Sequence, residues 1–191
     1  MFHYFTNNQL IIAATVLVLV VIVVAEYFRR RKARTAVLRN RFGTEYDHAV
    51  QVHGSSETAE ANLAFRENRV HSMKIQELGA TEQERFVTQW QTLQSRFVDH
   101  PEASVTEADD LIAALLEAKG YPKESFDERA ADVSVLHPRV MESYRAAHAI
   151  AVRPYRGETS TETLRTALTQ FRAIFDEILQ PDFLHQQGSI A

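Results

Sequence analysis

The hydrophobic pattern of the chain changes in kind near residue 43. Residues 10–25 read LIIAATVLVLVVIVVA, a run in which Thr15 is the one polar side chain. Extending that run to Phe28 gives a helix of about 28 Å at about 1.5 Å per residue, close to the hydrocarbon core of about 30 Å. Beyond residue 43 the apolar residues recur every three or four positions, which is the spacing of amphipathic helices.

We predict a transmembrane helix over residues 10–28, because twelve of these residues are Leu, Ile or Val and no charge lies near the centre. Its lipid-facing residues include Leu10, Ile11, Val16, Leu19 and Val23. A buried core helix or strand pair is one alternative, although the run has no polar face. A cleaved signal peptide is another, but its positive charge would precede the run rather than follow it.

A block of positive charge follows the run directly. Seven basic residues and no acidic ones lie from residue 29 to residue 41. The first five are Arg29, Arg30, Arg31, Lys32 and Arg34. Lys and Arg beside a transmembrane end remain cytoplasmic, so the short N-terminal tail is expected outside and the rest of the chain inside. These residues either set topology alone or also bind anionic lipid headgroups, and both interpretations stay open.

Charge and composition narrow the class of protein. The chain has 191 residues, no cysteine and a net charge of −4. The charge is unevenly distributed, because the part from Phe42 onward has 14 basic and 24 acidic residues. The lack of cysteine excludes disulfides and thiolate chemistry, and an acidic body argues against nucleic acid as a partner. We predict a tail (1–9), the transmembrane helix (10–28), a basic segment (29–42), an acidic helical domain (43–180) and a flexible tail (181–191).

The acidic domain carries the signals of an all-α bundle of five or six helices. One apolar stripe comprises Phe86, Trp90, Leu93 and Phe97, and another comprises Leu164, Leu168, Phe171, Phe175 and Ile178. Three capping boxes are expected, at Thr81–Glu84, Ser125–Glu128 and Thr159–Glu162. Proline and glycine mark other helix boundaries, for example at Pro101, Gly120 and Pro138.

The sequence contains few candidates for chemistry. The spacing Glu45-x-x-His48 is that of ferritin-like metal sites, but these need the motif twice and two further carboxylates. A polar cluster of Asp132, His137, Tyr144, Arg145 and His148 could supply an acid–base pair, with Asp132 orienting an imidazole. Such residues more often satisfy one another's hydrogen bonds inside a core. We therefore predict no catalytic, cofactor-binding or metal-binding residues.

An acidic stretch suggests a different kind of function. Ten carboxylates and three basic residues lie from Asp99 to Asp132, which favours either a docking face for a basic protein partner or simply a solvated helix surface.

Several phrases of the chain resemble a family of small bacterial membrane proteins. They are RFG-x-EYD from residue 41, RF-V-D with its following Pro from residue 96, GYP from residue 120, F-x-x-RAAD-x-S-V-x-HP from residue 126 and YR-x-AH from residue 144. The resemblance spans residues 37–179 and implies a bacterial source, one N-terminal transmembrane segment and a helical domain. The family has no known activity, so it implies no functional residues.

Together these observations predict a single-pass protein of the bacterial inner membrane, whose cytoplasmic domain is a non-enzymatic interaction or regulatory module. There are two alternatives. One is a membrane-bound enzyme that uses Asp132, His137, Tyr144 and His148, and the other is an envelope protein that senses anionic lipid.

Overall fold

The fold is all-α throughout the residues that the structure describes. The structure is a computed structural model that describes residues 7–153 and 159–179, with side chains from residue 11 onward. No strand occurs within those ranges, which confirms the predicted fold class. The chain divides into two compact units, Met1–Arg41 and Phe42–Ala191. The predicted tail over 181–191 and most of the tail over 1–9 lie outside the described residues.

The first unit is formed by one long helix, α1 (Asn7–Phe42), whose 36 residues correspond to about 54 Å. Neither Gly nor Pro interrupts it, so the helix runs without a break from the apolar stretch through the basic segment. By length and composition α1 can cross a membrane, and none of its apolar window is buried. The exposed side chains from Ile11 to Val24 argue directly against the alternative of a buried core helix.

Two helices joined by a tight turn open the second unit. They are α2 (Thr44–His53) and α3 (Ser56–Ser72), which we call the α2–α3 hairpin. Gly43, at φ +53°, separates α2 from α1 in a backbone conformation that glycine adopts without a steric penalty. Ser55 then caps α3, because its hydroxyl accepts a hydrogen bond from the Thr58 backbone N–H at 3.2 Å.

The next two helices are α4 (Ala80–Arg96) and α5 (Pro101–Ala118). The expected stripe of α4 is confirmed, since Phe86, Trp90, Leu93 and Phe97 are all buried. The expected capping box at Thr81 and Glu84 is wrong. The helix begins at Ala80, and its N-cap residue, Gly79, has no side chain with which to cap it.

The last three helices are α6 (Phe126–Leu136), α7 (Met141–Ala151) and α8 (Thr161–Leu179), with a single 3₁₀ turn (Pro138–Val140) before α7. The Ser125–Glu128 capping box is present in both directions.

The third expected capping box, at Thr159 and Glu162, is wrong, because the cap is a single serine with a threonine, not a glutamate, three residues later. Ser160, not Thr159, provides the cap of α8, and its hydroxyl accepts from the Thr163 backbone N–H at 3.2 Å. Seven α-helices therefore come after α1 in the described residues, where five or six were expected. The extra helix is the ten-residue α2, which is too short to be stable alone and is held by its packing against α3.

The continuous hydrophobic core belongs to α4–α8. At its centre the Trp90 and Phe175 rings stack with centroids 4.8 Å apart, and Tyr144 meets Phe171 edge-on at 6.4 Å. The buried apolar residues of the α2–α3 hairpin lie outside this continuous core; they are Tyr46, Ala49, Ala59, Leu63 and Val70. Other contacts must therefore contribute to holding the hairpin against the remaining helices.

Candidate functional site

A buried carboxylate joins the α2–α3 hairpin to α7. Glu45 of α2 is 1% exposed and accepts from two arginines that come from different helices. The guanidinium of Arg145 in α7 donates two hydrogen bonds to Glu45, at 2.7 Å to Oε2 and 3.0 Å to Oε1. Arg66 of α3 donates a third at 3.2 Å. Such paired, charge-assisted bonds fix geometry more tightly than a single contact does.

A second ionic contact joins α3 to α6. Arg69 pairs with Glu124 and also lies 3.0 Å from the Oδ2 atom of Asp132, which is 2% exposed. The contact with Asp132 is close but is not aligned as a hydrogen bond. Burial consequently outweighs the attraction of Arg69, and the pKa of Asp132 is raised above its ordinary value. Arg69 thus ties the hairpin to α6, as Arg145 ties it to α7.

The charges of these two contacts influence one another. Burial lowers the pKa of Arg66, whereas the neighbouring Glu45 and, more weakly, Asp132 raise it. Burial also lowers the pKa of His48, and the positive charge of Arg145 lowers it further. With an ordinary value of about 6.5, this imidazole is neutral at pH 7. Arg66 therefore interacts electrostatically with Glu45 and Arg145 of the first contact and with Asp132 of the second.

An imidazole–carboxylate pair joins α5 to α7. The Nδ1 atom of His148 lies 2.8 Å from the Oδ2 atom of Asp109, and the imidazole stacks on the Phe126 ring with centroids 3.5 Å apart. Burial raises the pKa of Asp109, although His148 opposes the shift. The pair could orient an imidazole for proton transfer, but Phe126 covers one face of the ring and both side chains are largely buried.

Tyr144 lies one helical turn before His148 and is fully buried. Its ring packs edge-on against Phe126 at 4.9 Å, and its hydroxyl accepts a hydrogen bond of 3.3 Å from the Nε atom of Arg129. Burial raises the pKa of Tyr144 to about 12, despite the opposing charge of Arg129. The phenol therefore stays protonated at neutral pH and acts as a packed, hydrogen-bonded core group.

The structure divides the predicted polar cluster among separate contacts. Tyr144 and His148 share Phe126, but Arg145 binds Glu45 and Asp132 lies beside Arg69. The His137 Nδ1 atom lies 3.5 Å from Glu177 of α8. The expectation that Asp132 orients an imidazole is wrong, because Asp109 contacts His148 and Glu177 approaches His137. The five candidate groups therefore do not converge on one site.

The ferritin-like spacing has a structural use. Glu45 directs both carboxylate oxygens to arginines, and a carboxylate already occupied in this way is a poor metal ligand. Among the residues that the structure describes, no group of three or more His, Asp or Glu could hold a metal ion.

The acidic stretch from Asp99 to Asp132 contains two kinds of carboxylate. Some of its members make internal contacts, as ion pairs or as a helix cap; among them are Glu107, Asp109, Glu124, Glu128 and Asp132. Others are exposed, among them Asp110 and Glu117 of α5. These two are seven residues apart, so they lie on one face of the helix, two turns from each other.

The basic segment of α1 carries an acidic neighbour. Glu26 accepts from Arg29 and from Arg30, each at 2.8 Å, and the two arginine side chains remain about four-fifths exposed, at 79% and 81%. The other three predicted headgroup or topology residues, Arg31, Lys32 and Arg34, are exposed on the same helix. All five lie on a single unbroken helix that continues the apolar stretch.

Comparison with other proteins gives no assignment. No protein family, no curated protein and no solved structure matches the chain. The resemblance of residues 37–179 to a bacterial membrane-protein family therefore stays a prediction from its motifs.

Proposed function

We propose that this protein is a membrane-anchored interaction module. In this proposal α1 crosses a bacterial inner membrane with its N-terminus outside, and the helical bundle binds or regulates a protein partner at the cytoplasmic face. The observation that carries the proposal is the composition of α1, in which an exposed apolar stretch passes within one helix into a segment of seven basic residues. Positive charge on that flank favours a cytoplasmic location for the helical bundle.

The contacts within the bundle support a role in binding more than a role in catalysis. The enzyme alternative needs Asp132, His137, Tyr144 and His148 to act on one substrate, whereas these residues make separate contacts with Arg69, Glu177, Arg129 and Asp109. Three of these contacts join two different helices, and the contact of His137 joins the turn after α6 to α8. Their evident effect is to fix how the helices pack, which is the usual role of buried polar groups.

The exposed acidic face of α5 supports a partner of basic character. Asp110 and Glu117 are exposed on one face of a helix whose opposite side lies in the core. Exposed charges of one sign attract and orient a partner of opposite charge, and they act mainly by raising the rate of association. We therefore expect the partner to present Lys or Arg to α5.

Affinity capture tests the proposal. Bacterial membranes that contain the full chain are chemically crosslinked and solubilised in mild detergent, and the chain is then captured with whatever is bound to it. We expect a defined partner with the native protein and its loss with Asp110→Lys/Glu117→Lys. The matched control is Glu82→Lys/Glu162→Lys, which changes charge equally at exposed positions of α4 and α8 and should retain the partner. Recovery of nothing specific by the native chain, or equal loss with both double variants, would count against an interaction module of this kind.

A further inference from the structure

We propose that the part of α1 from Arg29 to Arg34 is a binding ring for anionic phospholipid headgroups, with Glu26 as its internal counter-charge. This inference rests on the proposed membrane anchorage and adds a ligand to it. The topology rule requires only that positive charge lie near the end of the span. The helical geometry of the segment also determines the direction in which each charge points and its distance from the end of the span.

Four consecutive cations encircle the helix just beyond its apolar stretch. Arg29, Arg30, Arg31 and Lys32 are separated by about 100° each, because an α-helix has about 3.6 residues per turn. Together they cover the whole circumference and leave no side without positive charge. A lipid that approaches α1 from any direction in the membrane plane therefore meets a cation.

The height of each charge is set by the helical rise. With the span ending at Phe28, residues 29–32 lie within about 6 Å of its end and Arg34 lies at about 9 Å, whereas Arg39 and Arg41 lie at about 16 and 19 Å. The headgroup layer is about 5–8 Å thick on each side. Helical side chains also lean toward the N-terminus, which here means toward the membrane.

The basic segment thus has two parts with different access to lipid. The lower part, from Arg29 to Arg34, lies at the level of the phosphates or leans toward them. The upper pair, Arg39 and Arg41, lies roughly a Debye length of about 8–10 Å beyond the headgroups, where salt screens the attraction.

Glu26 limits the positive charge of the ring. Its carboxylate lies at the end of the apolar stretch and pairs with Arg29 and Arg30, each at 2.8 Å. An anionic headgroup that approaches this side must compete with the carboxylate. Lys32, by contrast, lies about 120° from Glu26 around the helix, and Arg34 lies about 12 Å from it along the helix axis. Removing the carboxylate should therefore strengthen the preference for anionic lipid.

The test is the relative association of spin-labelled phosphatidylglycerol and phosphatidylcholine with the full chain, reconstituted in phosphatidylcholine bilayers at about 0.15 M salt, where the Debye length is about 8 Å. We expect the native chain to prefer phosphatidylglycerol. The variant Lys32→Gln/Arg34→Gln should reduce that preference by about fivefold per charge removed, since a basic residue near an anionic surface contributes about 1 kcal/mol. The variant Glu26→Gln should increase the preference.

The matched control is Arg39→Gln/Arg41→Gln, which removes the same number of charges from the upper part of the same helix and should leave the preference unchanged. Equal preference of the native chain for the two lipids, or an equal effect of the two double variants, would overturn the lipid ring. Failure of the native chain to integrate into neutral bilayers would overturn the anchor itself and the ring with it. Integration without lipid preference would overturn the ring alone.

Discussion

Glu45 and Arg145, one hundred residues apart in the chain, form a bidentate ion pair at 2.7 and 3.0 Å. Glu45 is the second residue of α2, two positions after Gly43, which separates α1 from α2, and Arg145 lies in α7. The pair thus connects the first turn of the second unit with the helices of its continuous core. Arg66 approaches the same carboxylate from α3, so one acidic group orients three helices.

The first prediction concerns this carboxylate. We expect Glu45→Gln to lower the free energy of unfolding by about 3–5 kcal/mol, because it leaves two arginines in a buried site without a countercharge. Denaturant titration in detergent, followed by the fluorescence of Trp90, measures the change. Trp90 is the one tryptophan of the chain and is buried in the bundle, so the signal reports on that unit alone.

The matched control for that prediction is Glu162→Gln. Glu162 pairs with Arg165 at 3.2 Å, the same distance as Glu45 to Arg66, but its side chain is 75% exposed. An exposed pair contributes at most about 1 kcal/mol, so the control should unfold almost as the native chain does. Similar losses for both variants would mean that the Glu45 contacts do not hold the hairpin.

The second prediction concerns the end of α5. Gly120 has φ +102°, and a β-carbon built there would lie 2.5 Å from the carbonyl oxygen of Lys74. We expect Gly120→Ala to destabilise the protein by about 2 kcal/mol or more, because both the backbone conformation and the contact oppose a side chain. Gly79→Ala is the control, since a β-carbon there meets nothing within 4 Å. A near-neutral Gly120→Ala in the same Trp90 titration would contradict this interpretation of the turn.

The third prediction separates two capping boxes that look alike in sequence. Ser125→Ala should cost about 1 kcal/mol, because the Ser125 hydroxyl and the Glu128 carboxylate satisfy the first turn of α6. Thr81→Ala should have almost no effect, since Thr81 lies inside α4 and caps nothing. If the two variants lost equal stability, the assigned start of α4 would be wrong.

The fourth prediction is a dependence on alkaline pH. The pKa of Tyr144 is raised by burial from 10.0 to about 12, so the unfolded chain releases this proton at lower pH than the folded chain does. The contribution of Tyr144 to the free energy of unfolding is therefore complete below pH 10 and is lost as the pH rises toward 12. The stability of native protein should therefore fall more steeply over this range than that of Tyr144→Phe. Parallel pH profiles would show that the phenol is not held in a dry site.

The sequence predicts the helices well and their polar contacts poorly. Periodicity identifies the buried stripe of α4 because Phe86, Trp90, Leu93 and Phe97 lie on one helical face, a local property. The partner of Glu45 is a hundred residues away, and that of His148 is 39 residues away. Rules of sequence spacing cannot predict contacts between residues so far apart in the chain. The residues from Asp132 to His148 suggest one polar cluster only because they are close in sequence.

Capping signals show the same limit on a smaller scale. Thr81 and Ser125 each precede a glutamate by three residues, yet only Ser125 is the N-cap residue of its helix. Glycine at position 79 already ends the preceding segment, and Ala80 continues a helix readily, so α4 begins before Thr81 can cap it. The helical continuation of α1 through the basic segment was also missed, although the absence of Gly and Pro from residues 29–42 was a signal for it.

Accessibility of single cysteines in living bacteria tests the central claim most directly, because the native chain has no cysteine. One cysteine would replace Thr6, ahead of the apolar stretch, and another would replace the exposed Thr81 of the bundle. With a membrane-impermeant maleimide, we expect Thr6→Cys to react in intact cells and Thr81→Cys to react only after permeabilisation. Labelling of Thr81→Cys in intact cells, or its recovery in the soluble fraction, would contradict a cytoplasmic module anchored by α1.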